Sequence, residues 1–276
     1  MKQPSLRIGI LNLMHDKVDT QERFSKVLQN GPYEVEVDFF YPRSHYTGRP
    51  VPDPVQQISQ PLDLRKVAEY DAFIITGAPV EQLPFAEITY LEEVHRLIDR
   101  LVEQEIPQLY ICWGAMAAAD YLYGIPKRLL PEKLFGIFPN FRRNPDPLLA
   151  GLPDGFLAPH ARYAELDAAR VAADPRLVIN AVTKEQRLFS FRARGQKQYF
   201  LFSHLEYGRD ALLKEYRRER NAHPDIQYLK PQNYFRDPLH MKGPEFSWER
   251  TQRTFFDNWL RSVAEQMTVN QLVKEY

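Results

Sequence analysis

The chain has 276 residues, 44% of them hydrophobic and 26% charged, with 36 basic and 36 acidic side chains that cancel to a formal net charge of zero. That balance suits an enzyme-like α/β protein and gives no electrostatic footprint for nucleic acid or a membrane surface. The single cysteine excludes an internal disulfide framework and a cysteine-rich zinc site, and no metal site is expected.

The first apolar run, residues 8–14, is too short for a secretory signal and carries Asn12. No later run reaches the length of a membrane span, so a cytoplasmic location is expected. Residues 6–13 read as a buried first strand. Asp19 or Thr20 is expected to cap a helix over 21–28, which Asn30-Gly31-Pro32 stops. Residues 33–41 alternate charged and apolar side chains, as a half-exposed second strand does. The proline-rich stretch 42–61 reads as a long loop with room for one short helical turn. A third strand, 70–77, ends in a glycine turn. Leu91, Val94, Leu97, Ile98 and Leu101 recur at helical spacing, so 88–105 is expected to be an amphipathic helix closed by Pro107. Residues 108–111 form a fourth strand running into Cys112, and an alanine-rich helix follows.

This alternation implies an α/β fold: a mostly parallel central sheet flanked by helices, with its site beyond the carboxyl ends of the strands. Those ends carry Asn12-Leu13-Met14, Gly77-Ala78-Pro79 and Cys112-Trp113-Gly114 to one edge. In the second half, 133–138 and 177–182 read as strands. Residues 188–192 and 198–203 read as an antiparallel pair turning at Arg194-Gly195-Gln196. A charged helix over 211–221, a loop-rich stretch over 223–247 and a terminal helix over 248–267 complete the chain. That last helix turns Phe255, Phe256, Trp259, Leu260 and Val263 inward. No linker stands out, so one domain over 1–276 is expected, with 263–276 as its tail.

Cysteine at a strand-to-helix turn is where α/β enzymes display a nucleophile, and the helix N-terminus favours the thiolate. The competing reading is a buried small hydrophobe. A nucleophilic thiol needs a base, and the base needs an acceptor on its far nitrogen. His204 and Glu206, two apart on an extended segment, would point to the same side and supply both.

These residues sit among stretches that match a family in order. They include Asn12-Leu13-Met14, Thr76-Gly77-Ala78-Pro79-Val80-Glu81, Cys112-Trp113-Gly114, Glu132-Lys133-Leu134-Phe135-Gly136, Ala158-Pro159-His160 and Asn258-Trp259-Leu260. Across about residues 6–262 the sequence resembles the homoserine O-acyltransferases of the homoserine transsuccinylase type, whose fold is like the class I glutamine amidotransferases. The resemblance implies ping-pong acyl transfer: Cys112 takes the acyl group from an acyl-CoA, and His204, oriented by Glu206, moves the protons. It implies oxyanion donors on the backbone at Trp113 and Val80, and substrate contacts from Lys133 and Arg218. No cofactor beyond the acyl-CoA substrate is implied, and a homodimer is suggested. Glu81 stands where the family sets donor choice; an acidic residue there goes with acetyl rather than succinyl, whose free carboxylate it would repel.

The departures gather near the acceptor. Ala161 replaces the serine of the family's usual Pro-His-Ser-Arg, Leu205 replaces a proline, and the tail motif becomes Trp248-Glu249-Arg250-Thr251. The expected acceptor is therefore L-homoserine with L-serine close behind, since a pocket resolves one methylene by about 1–3 kcal/mol. A glutamine amidohydrolase is the rival enzyme, weakened by Tyr110 where those enzymes usually have glycine. A non-catalytic amino-acid-binding protein is the rival of another class.

Overall fold

The computed structural model describes residues 5–274, with side chains described through residue 268. β1 (Ser5–Leu11) buries Leu6, Ile8 and Ile10 completely. α1 (Lys17–Gln29) starts earlier than the sequence suggests, because the Asp16 carboxylate accepts the Asp19 N–H at 3.0 Å and so caps it. The buried Lys17 ammonium helps to fix that start by donating to Asn12 O at 2.7 Å and Met14 O at 3.1 Å. β2 (Glu34–Tyr41) follows. The proline-rich stretch then holds a six-residue helix, α2 (Asp53–Ile58), and the two-residue β3 (Gln60–Pro61). β4 (Ala72–Ile75), α3 (Leu91–Glu103), β5 (Gln108–Ile111) and α4 (Trp113–Tyr123) come next. α3 buries Val94, Leu97, Ile98 and Leu101, the stripe that its spacing predicts.

The second half is more strand-rich than its sequence suggests. β6 (Lys127–Arg142) runs 16 residues, with a register shift between Leu129 and Leu134, where six were expected. Its partner β7 (Phe156–Leu166) was not expected as a strand, and α5 (Ala168–Ala173) is too short to show a helical period. β8 (Leu177–Thr183), β9 (Leu188–Ala193) and β10 (Gln198–Leu201) follow, with β9 and β10 antiparallel as their turn predicts. α6 (Ala211–Ala222), the short pair β11 (Phe235–Asp237) and β12 (Lys242–Pro244), and α7 (Glu249–Lys274) close the chain. α7 continues to Lys274, into the stretch read as a tail.

Ten strands form one sheet in the order β3-β2-β1-β4-β5-β10-β9-β8-β6-β7. Pairing is parallel from β3 through β10 and antiparallel from β10 to β7. The sheet is thus a parallel α/β half carrying an antiparallel extension, and β5 and β10 sit side by side at the junction. That adjacency is what the site uses: β5 ends at Ile111, one residue before Cys112, and β10 runs out just before His204. Among the described residues no helix is long and apolar enough to cross a membrane.

Candidate active site

Cys112 caps α4 with φ +50° and ψ −110°, a backbone state that costs a non-glycine residue about 1–3 kcal/mol. Two close contacts hold it there. Its N–H donates to Leu201 O at 2.7 Å, and Gly114 lies so near β4 that an added Cβ would meet Thr76 O at 2.7 Å and Ile75 O at 2.8 Å. Only glycine allows that approach. Gly77 faces the site from the end of β4; a Cβ there would stand 3.3 Å from His204 Cε1 and 3.4 Å from Cys112 Cβ.

His204 is fixed from three sides. Its N–H donates to Pro159 O at 3.0 Å, its Nδ1 lies 2.7 Å from Glu206 Oε1, and its ring stacks on Tyr207 with centroids 4.5 Å apart. The imidazole and the Cys112 side chain flank Gly77 and line the same cavity. The His204–Glu206 contact arises differently from the expected alternation along a strand. β10 stops at Leu201, and residues 204–207 form a turn closed by Tyr207 N–H donating to His204 O at 3.0 Å. The turn, rather than strand pleating, brings the two side chains together.

Burial works against a charge on His204, but Glu206 and the thiolate outweigh it and lift the imidazole well above its ordinary pKa. Burial pushes the Cys112 thiol up, and the adjacent His204 charge pulls it back. The imidazolium formed when sulphur gives up its proton is therefore stabilised where it forms.

Cys112 and His204 open onto a cavity of about 640 Å³, also lined by Glu81, Lys133, Ala161 and Arg218. Glu81 accepts the Tyr163 N–H at 2.7 Å, and burial pushes its carboxyl up to about 7 against that hydrogen bond. Lys133 reaches the cavity with its charge already answered, by Glu215 at 2.5 Å and Glu219 at 2.6 Å. A carboxylate entering the cavity is left to Arg218, which is exposed. Val80 does not line the cavity; its side chain packs on the core, while Ala78 and Pro79 face the open space. Trp113 is fully buried, with its ring 5.9 Å from those of Phe85 and Tyr90.

The sequence reading missed Glu215 and Tyr207. The Tyr207 hydroxyl donates to Glu215 Oε2 at 2.9 Å, so one chain of contacts joins the His204 ring to Lys133. A signal existed: Glu215, Arg218 and Glu219 fall at i, i+3 and i+4 on one face of α6. That face reads as a solvated surface until Lys133 of β6 is known to reach it. Among the described residues no group of His, Cys, Asp and Glu could hold a metal ion.

Solved structures share this architecture. A glutamine amidotransferase from Thermotoga maritima aligns with a TM-score of 0.59 at 16% identity, over 95% of this chain and 97% of that one. The common fold is the class I glutamine amidotransferase fold. Sequence relatives are nearer. A serine O-acetyltransferase from Lactobacillus acidophilus is 52% identical over 96% of this chain and 98% of its own length. One from Lacticaseibacillus casei is 47% identical over 98% and 100%. A homoserine O-acetyltransferase from Acetivibrio thermocellus is 35% identical over 95% and 86%. The profile of the homoserine O-succinyltransferase family matches residues 2–269. With the match running through the Cys112 elbow, the His204 turn and the cavity between them, the chain belongs to that family of amino-acid O-acyltransferases.

Proposed function

We propose that this enzyme transfers an acetyl group from acetyl-CoA to the hydroxyl of L-serine through an acyl-cysteine at Cys112. The observation that carries the chemistry is that Cys112 and His204 line one cavity while Glu206 holds the far nitrogen of His204 at 2.7 Å. For the acceptor, the sequence alone puts L-homoserine just ahead of L-serine. The relatives support the reverse order, since those acting on serine are 47–52% identical and the homoserine enzyme 35%.

In the first half-reaction the Cys112 proton passes to His204 Nε2, and sulphur attacks the thioester carbonyl. The tetrahedral oxyanion is held by the Trp113 N–H and by one N–H of the loop after β4, each such donor contributing about 3–4 kcal/mol. Ala78 of that loop lines the cavity, and Val80, the expected donor, stands just outside its lining. CoA leaves as a thiol, taking the proton back from His204. In the second half-reaction the serine hydroxyl gives its proton to His204 and attacks the thioester; Cys112 leaves and is reprotonated. Arg218 takes the acceptor's carboxylate. Glu215, kept ionised by Lys133 in spite of burial, meets its ammonium. Because Cys112 itself carries the acyl group, this chemistry asks for no bound cofactor. Ala161 sits 5% exposed on the acceptor side, where the family's hydroxyl is missing, and suits the altered acceptor.

Incubation with acetyl-CoA should add one acetyl group to Cys112, visible by mass. L-Serine should discharge it faster than L-homoserine or water. No adduct from acetyl-CoA or succinyl-CoA would remove the transferase reading in favour of a binding protein; discharge by homoserine alone would move the acceptor.

Donor choice should depend on pH through Glu81. Its carboxyl, raised to about 7, is neutral in acid and charged above, whereas a succinyl carboxylate is charged throughout. The preference for acetyl-CoA over succinyl-CoA in kcat/KM should therefore grow by up to about tenfold from pH 6 to pH 8.5. In Glu81→Gln it should stay flat. A flat ratio in the wild-type enzyme would show that Glu81 excludes succinyl by volume alone.

A further inference from the structure

One peptide unit along from the carbonyl that anchors the nucleophile, a charge is held that the transfer steps do not use. Arg162, in β7, is fully buried. Its Nη1 donates to Phe202 O at 2.9 Å and its Nη2 to Leu188 O at 3.1 Å. Among the described residues no carboxylate pairs with it: Glu165, three positions on, is held by Arg128 and Arg187. Arg162 Nε makes no hydrogen bond within the protein. A buried cation without an anion is a costly arrangement, and carbonyl dipoles offset it only in part.

His160, whose Nδ1 lies 2.6 Å from Arg162 Nη1, does not supply the anion. Burial and the guanidinium charge push His160 well below the ordinary imidazole range, so it is neutral. Its Nδ1 accepts from Arg162, and its Nε2–H donates to Asn140 Oδ1 at 3.2 Å. This chain holds the guanidinium in place without neutralising it.

The anion available is one that the reaction makes. Leu201 O accepts the Cys112 N–H, and the next carbonyl, Phe202 O, accepts from Arg162. Nucleophile and guanidinium thus brace adjacent peptide units of the segment that carries His204. Pro159, also in β7, takes the Ser203 hydroxyl and the His204 N–H. That shared segment places the buried guanidinium one peptide unit from the carbonyl that anchors Cys112.

We infer that Arg162 is a positioning residue that supplies a fixed buried positive charge for the Cys112 sulphur, offsetting its negative charge whenever the thiolate forms or is released from the acyl-enzyme. The same guanidinium ties Phe202, and with it the His204 turn, to β7. His204 from the turn after β10 and Glu81 from the loop after β4 share the cavity with Cys112, and Arg162 from β7 is bonded to the carbonyl next to the one that accepts the Cys112 N–H. The inference rests on the acyl-cysteine reading, but its test needs no turnover.

With one cysteine in the chain, the pH dependence of iodoacetamide alkylation titrates Cys112 alone. Arg162→Met should raise the midpoint by about one unit, a tenfold loss of thiolate at a fixed pH below it. Arg162→Gln, which keeps N–H donors for the carbonyls but no charge, should show the same shift and serves if the Met variant does not fold. Arg162→Lys keeps the charge and should stay within about 0.3 unit of wild type; it decides the matter if neither neutral variant folds. A folded neutral variant with an unmoved midpoint overturns the inference, as does a Lys variant that shifts by a full unit. Should these midpoints move as expected while acetyl-CoA leaves no adduct, the acyl-transfer reading fails and the assignment of Arg162 stands.

Discussion

Cys112→Ala should abolish the acyl adduct and lower kcat for acetyl transfer by about 10⁴-fold or more, some 5.5 kcal/mol of barrier. The loss is this large because the thiol is the group that both half-reactions pass through, and no second thiol exists to substitute for it. The fold should survive. Cys112 is held by its backbone, through the N–H bond to Leu201 O, and its side chain is small. Cys112→Gly should be inactive too, yet melt no lower than the alanine variant, because glycine relieves the φ +50° conformation. Full kcat in either variant would mean that His204 activates the acceptor for direct transfer without an acyl-enzyme. Purified protein, a mass spectrum after acetyl-CoA, and a melting curve check all three statements.

How far the sequence carried these conclusions depends on whether each signal is local. The amphipathic stripe of α3, the strand-to-helix turn at Cys112 and the β9–β10 hairpin are written in neighbouring residues, and each appears where its pattern puts it. β7 was invisible for a physical reason: its middle carries Pro159, His160 and Arg162, which break an apolar pattern yet are buried because they bond to one another and to Phe202 and Ser203. Polar residues that satisfy each other in a core look like loop residues in a string. Lys133 stands out through the family resemblance, but its partners Glu215 and Glu219 lie 82 and 86 positions away, and no local spacing announces such an ion pair. His204 and Glu206 were paired correctly on the wrong geometry, since a turn and a pleat both bring side chains two apart together.

Glu206→Gln should lower kcat by roughly 10²–10⁴-fold while leaving the enzyme folded, and the reason can be separated from the loss of a contact. Glutamine keeps an oxygen for His204 Nδ1–H but removes the negative charge that lifts the imidazole against its burial. The His204 pKa should fall, the thiol proton should stay on sulphur, and alkylation of Cys112 should need a higher pH. Stability gives an independent check on the sign. A histidine whose pKa is raised on folding stabilises the protein fully below its unfolded value of about 6.5, and this is lost as pH rises through the folded value. The variant's deficit in melting temperature should therefore be larger at pH 6 than at pH 9. A part that does not vary with pH is expected as well. Glu206 Oε2 is buried and bonded to nothing in the protein, so a glutamine NH₂ there has no acceptor, at a cost of about 1–3 kcal/mol. A deficit that is equal at both pH values, with an unmoved alkylation profile, would reduce Glu206 to a packing residue. His204 would then have to owe its basicity to the thiolate alone.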